Sequence, residues 1–96
     1  MTQKDVLEIL RNFKINHSQE YGLLALGLFG SVARDQIRKN SDIDICVQTE
    51  TPDPFILVHI KENLESLTHK RVDIVRMREG MNALLKERIA QEGIYV

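Results

Sequence analysis

Ser41-Asp42-Ile43-Asp44-Ile45-Cys46-Val47 alternates polar and apolar side chains, and it restricts the fold more tightly than any other stretch of the chain. Such alternation is the period of a strand buried on one face. Ile43, Ile45 and Val47 then turn inward, and Asp42 and Asp44 share the opposite face. Their Cα atoms lie roughly 6.6 Å apart, two steps of about 3.3 Å. Left alone the two carboxylates repel. A divalent cation between them turns repulsion into coordination, and Mg²⁺ in particular takes oxygen ligands together with substrate phosphates.

Upstream, the apolar run Leu23 to Phe29 reads as a buried strand, with Gly27 marking a close backbone approach. Gly30-Ser31 breaks it where a short helix, Ser31 to about Lys39, begins with backbone N–H groups facing an anion. Phosphate donors and metal ligands are thus gathered in one segment, Gly30-Ser31, ten residues, then Asp42-x-Asp44. Asn40-Ser41 forms the turn into the strand, which runs from Asp42 to about Thr49.

The remaining elements support this segment. Thr2 with Asp5 has the form of a capping box, and Val6, Leu7, Leu10 and Phe13 follow at helical spacing, predicting a helix over 3–19 closed by Tyr21-Gly22. After the loop at Pro52 and Pro54, the spacing of Leu57, Ile60, Leu64 and Leu67 predicts a second long helix over 54–68. Arg71-Val72-Asp73-Ile74-Val75 alternates again, so Asp73 points away from the core. A last helix, 82–92, carries Leu85 and Ile89 on one side and ends at Gly93, and Ile94-Tyr95-Val96 can add a short edge strand. The expected fold is α/β, one domain over residues 1–96, with a small mixed β-sheet of three to four strands and about four helices. Strand order stays open, because the short connection between Phe29 and Asp42 admits more than one pairing.

Thirteen Lys and Arg against fourteen Asp and Glu leave a net charge of −1, which argues against a broad basic field for nucleic acid or membrane. Recognition must be local. The lone Cys46 excludes an internal disulfide, and no apolar run of about 18 residues suggests a membrane span. The opening residues lack the pattern of a secretory signal, so the cytoplasm is the expected compartment.

Asp42, Asp44 and Asp73 are polar members of otherwise apolar strands. A single aspartate of this kind is usually just solvated, but three behind Gly30-Ser31 suit two Mg²⁺ ions about 3.5–4 Å apart, one activating a hydroxyl and one holding a triphosphate. Asp73 is the candidate base. Ser31 serves as a helix cap or a phosphate ligand, and these roles are compatible. Arg34 reaches phosphates or forms a structural salt bridge. His17, His59 and His69 read as surface residues, and Lys70, Arg71, Arg76 and Arg78 as a solvated basic face beside Asp73.

Leu28-Phe29-Gly30-Ser31-Val32-Ala33-Arg34, Ser41-Asp42-Ile43-Asp44, Val72-Asp73-Ile74-Val75 and the ending Lys86-Glu87-Arg88-Ile89 through Gly93-Ile94-Tyr95-Val96 resemble the minimal nucleotidyltransferases of the DNA polymerase β-type superfamily. The resemblance implies Mg²⁺-dependent transfer of AMP from ATP to an acceptor hydroxyl, with loss of pyrophosphate. It also implies an antitoxin whose partner is a HEPN-domain toxin, inactivated by adenylylation of a tyrosine. By this likeness Gly30 and Ser31 hold the triphosphate, Asp42 and Asp44 both metals, and Asp73 the catalytic metal. The chain departs from the family at Asp35, where glycine is usual, placing a negative charge one turn beyond Ser31. Two other readings stay open: a non-catalytic antitoxin that neutralises its partner by contact, and a small-molecule nucleotidyltransferase, for which the chain offers little acceptor-binding surface.

Overall fold

The computed structural model describes residues 1–96 and contains four helices and four strands in the order α1 (Gln3–Tyr21), β1 (Leu23–Phe29), α2 (Gly30–Ala33), β2 (Ile43–Thr49), α3 (Pro54–Thr68), β3 (Val72–Arg76), α4 (Ala83–Glu92) and β4 (Ile94–Tyr95). The strands form one mixed sheet in the order β3-β2-β1-β4. β1 pairs antiparallel with both β2 and β4, whereas β2 and β3 run parallel and are joined through α3, the long crossover that a parallel pair requires.

The expected capping box opens α1: the Thr2 hydroxyl accepts the Asp5 N–H at 3.2 Å, and the Asp5 carboxylate accepts the Thr2 N–H at 2.8 Å. Val6, Leu7, Leu10 and Phe13 from α1 meet Leu26, Leu28, Ile43, Ile45, Val47 and Val72 from the sheet and Ile60 and Leu64 from α3 in one continuous core. Leu67, expected in that stripe, is 47% exposed. The buried face of α3 runs Ile60, Leu64, Thr68 at four-residue steps, and Thr68 satisfies its hydroxyl by donating to the Leu64 carbonyl at 2.8 Å.

α1 and α3 cover one sheet face, and only α4 lies on the other, where Phe29, Cys46 and Ile89 form a smaller buried cluster. The molecule is accordingly thin, 33 × 30 × 19 Å. No helix is long and apolar enough to cross a membrane.

The helix expected over 31–39 is a single turn, Gly30–Ala33. Asp35 adopts φ +58°, the Asp35 N–H donates to the Val32 carbonyl at 3.0 Å, and the Gln36 N–H donates to the Ser31 carbonyl at 2.8 Å. That bond pair is the Schellman stop, which turns the chain out of the helix before Gln36. Asp42 precedes β2 rather than opening it. The edge of β3 is protected where Glu65 Oε2 accepts the Val72 N–H at 2.9 Å.

Candidate active site

Sheet register builds the site. Phe29 on β1 is paired with Asp44 on β2, and Asp44 with Asp73 on β3, so the three residues form one row across the sheet. Adjacent strands lie about 4.8 Å apart, and residues level with each other project to the same face. Asp44 and Asp73 are therefore side by side on the face that α1 and α3 leave open. They differ in exposure: Asp44 is half-buried in the sheet, while Asp73 is exposed on the edge strand. Asp42, half-buried, lies just before Asp44 on the same chain segment.

Gly30 closes the row from above. It begins α2 at φ +75°, and a Cβ there would collide with the Asp44 carboxylate, approaching its Cγ to 2.9 Å. Both the backbone angle and the space demand glycine. The two halves of the sequence motif are thus in contact, with the turn of one packed on the carboxylate of the other.

The electrostatics follow from this packing. Burial pushes the Asp44 carboxyl above its ordinary value, the neighbouring Asp73 pushes it further, and Asp42 adds to the effect against the pull of Arg88 and Arg34. Arg34, Arg88 and His17 make the chain's salt bridges, and none of these reaches Asp42, Asp44 or Asp73. Crowded carboxylates without a paired base are hard oxygen donors suited to Mg²⁺, which favours one or two protein carboxylates plus phosphates over an all-protein cage. Asp42, Asp44 and Asp73 are not gathered into the three-ligand cluster that the sequence suggested: no group of three or more His, Cys, Asp or Glu residues stands closely enough to hold a metal ion.

Ser31 is the second residue of α2; the N-cap is Phe29, so Ser31 does not cap the helix. Arg34 takes the salt-bridge role, its Nη1 lying 2.8 Å from Glu92 Oε1. Glu92 also accepts the Gly30 N–H through Oε2 at 3.1 Å, and Arg88 places its guanidinium 5.9 Å from the centre of the Phe29 ring. Sequence reasoning missed both residues as site residues. Their spacing, four apart on one helix face, was the available signal, but the contacts that matter bridge 62 and 58 residues of chain.

The broadest concavity, about 560 Å³, lies along β3 between Pro54 and Leu57 on one side and Met81 and Leu85 on the other. It borders Asp73's strand but contains none of the three aspartates.

A small mixed sheet that sets a tight glycine turn against paired strand carboxylates is the arrangement of a nucleotidyl-transferring domain. The chain belongs to the polymerase beta nucleotidyltransferase family, whose pattern matches residues 9–96. Protein adenylyltransferase MntA of Thermococcus cleftensis is 30% identical over 97 aligned residues, covering 100% of this chain and 97% of the relative. A solved structure described as a minimal nucleotidyltransferase superimposes with a TM-score of 0.79 at 32% identity, covering 98% of this chain and 95% of that one. A toxin-antitoxin crystal structure with AMP-PNP superimposes with a TM-score of 0.72 at 28% identity, over 88% of this chain and 69% of that one.

Proposed function

We propose that this chain is a Mg²⁺-dependent protein adenylyltransferase that moves AMP from ATP to a hydroxyl of a separate protein, the tyrosine of a HEPN-type toxin, as the cytoplasmic antitoxin of a two-gene pair. The observation that carries this reading is the row of Gly30-capped Asp44 beside exposed Asp73. The adenylyltransferase name of the Thermococcus relative and the nucleotide analogue in the toxin-antitoxin structure support the reaction and the partner class.

Asp42 and Asp44 would hold the metal with the triphosphate packed against Gly30 and Ser31. Bound Mg²⁺ supplies charge neutralisation for the phosphates and acidifies the acceptor hydroxyl. Asp73, at the open edge, meets an acceptor carried by another chain and takes its proton. The acceptor oxygen bonds to the α-phosphorus, the bond to the bridging oxygen of the β-phosphate breaks, and pyrophosphate leaves with that electron pair. Positioning supplies much of the rate in such reactions. Asp73 stands exposed on the edge strand, and in this reading a partner surface docked along that edge orients the acceptor.

The test is incubation with labelled ATP, Mg²⁺ and the product of the adjacent gene, followed by peptide mass spectrometry. Adenylyl mass on a partner tyrosine, absent with Asp42→Asn, is the expected result. Tight complex formation without modification under any metal condition would instead establish a contact-only antitoxin.

A further inference from the structure

Glu92 collects the donors that a polyphosphate would use. It lies in the last turn of α4 with its side chain 20% exposed. Its Oε2 accepts the Gly30 N–H at 3.1 Å and lies 3.8 Å from Arg88 Nη2, while its Oε1 accepts from Arg34 Nη1 at 2.8 Å. Arg34 is steadied from its other side by Nε donating to Gln36 Oε1 at 3.2 Å. One carboxylate therefore joins two guanidiniums and the backbone N–H of Gly30, the residue that packs on the Asp44 carboxylate. Guanidinium forks and free backbone N–H groups are the groups that bind phosphate oxygens best.

We propose that Glu92 is a specificity-determining residue: an internal anion that occupies the polyphosphate's donors in the free protein and must be displaced by it. The inference rests on the reading that ATP binds beside Gly30 and Asp44. A carboxylate and a phosphate cannot both take the Gly30 N–H and the Arg34 Nη1 donor, so binding expels Glu92 and transfers both arginines to the incoming anion. The competition discriminates by charge. A polyphosphate with several negative oxygens displaces one carboxylate, whereas a small monoanion does not, and the site stays closed to the commoner anions of the cell.

A purely bracing role, in which Glu92 only orients the arginines, predicts the opposite sign on substitution. Glu92→Gln keeps the size and one acceptor oxygen and removes the charge. In calorimetry with Mg²⁺, the proposal expects Glu92→Gln to bind ATP roughly tenfold more tightly than wild type, the factor that about 1.4 kcal/mol carries, and inorganic phosphate to become a measurable competitor. Unchanged or weaker ATP binding by Glu92→Gln overturns the proposal while leaving the nucleotide site intact. ATP binding by neither protein overturns the nucleotide reading as well. A measurement on wild type needs no variant to fold: the ¹³C resonance of the Glu92 carboxyl should move to that of a solvated carboxylate when Mg²⁺-free pyrophosphate saturates the site. A resonance that stays in place under saturation also overturns it.

Discussion

Asp44 is the residue at which the electrostatics work against the fold. Its carboxylate is half-buried, crowded by Asp73 and Asp42, and takes no part in the chain's salt bridges. A carboxyl raised in the folded state destabilises the fold once it is ionised, and the penalty disappears when pH falls below the unfolded-state value near 3.8 and both states are protonated. Asp44→Asn should therefore melt no lower than wild type at pH 7, and the gap between the two proteins should close as pH is lowered toward 3.5. Thermal unfolding followed by circular dichroism across that range checks the sign. A variant less stable at neutral pH would mean that the carboxylate has a structural partner. The same substitution should end metal-dependent nucleotide binding, the usual outcome when a residue is kept for function against the preference of the fold.

At the scale of the element, the turn between β1 and β2 shows what a linear pattern leaves out. α1, β1 and α3 were legible because long apolar periods and caps mark them: the Thr2 box, the run Leu23–Phe29, and Pro54 in the first turn. α2 was not, since nothing in Val32-Ala33-Arg34-Asp35-Gln36 forbids a longer helix, and the Schellman stop depends on Asp35 taking a left-handed conformation that this residue type adopts only when the surroundings ask for it. Glycine adopts the same angle without a side-chain penalty. Asp35→Gly should relieve the strain and raise stability by up to about 1 kcal/mol, a Tm increase of no more than about 8 °C in a domain of this size. Removing a negative charge one turn from Ser31 should also leave ATP binding equal or tighter. A fall in Tm would show that the Asp35 side chain stabilises the turn.

For the molecule as a whole, strand alternation put Asp44 and Asp73 on the face away from the main core, where the register also sets them, while Asp42 falls just before β2, and their arrangement depends on pairings that no single segment encodes. The parallel register of β2 and β3 puts Asp73 level with Asp44, and α4 returns to bring Glu92 and Arg88 over the end of β1. Those relations arise from tertiary packing across long stretches of chain, so composition and local period are silent on them. The same packing divides the site by depth, with Asp44 inside the sheet next to Gly30 and Asp73 outside at the edge. The proposed reaction assigns the nucleotide to the inner carboxylates and the acceptor to the outer one. The most direct measurement is calorimetric titration of ATP in the presence of Mg²⁺ into wild type, Asp44→Asn and Asp73→Asn. The predicted result is no detectable binding in Asp44→Asn and an affinity within about tenfold of wild type in Asp73→Asn. Equal affinity in wild type and Asp44→Asn, or an equal loss in both variants, would contradict it.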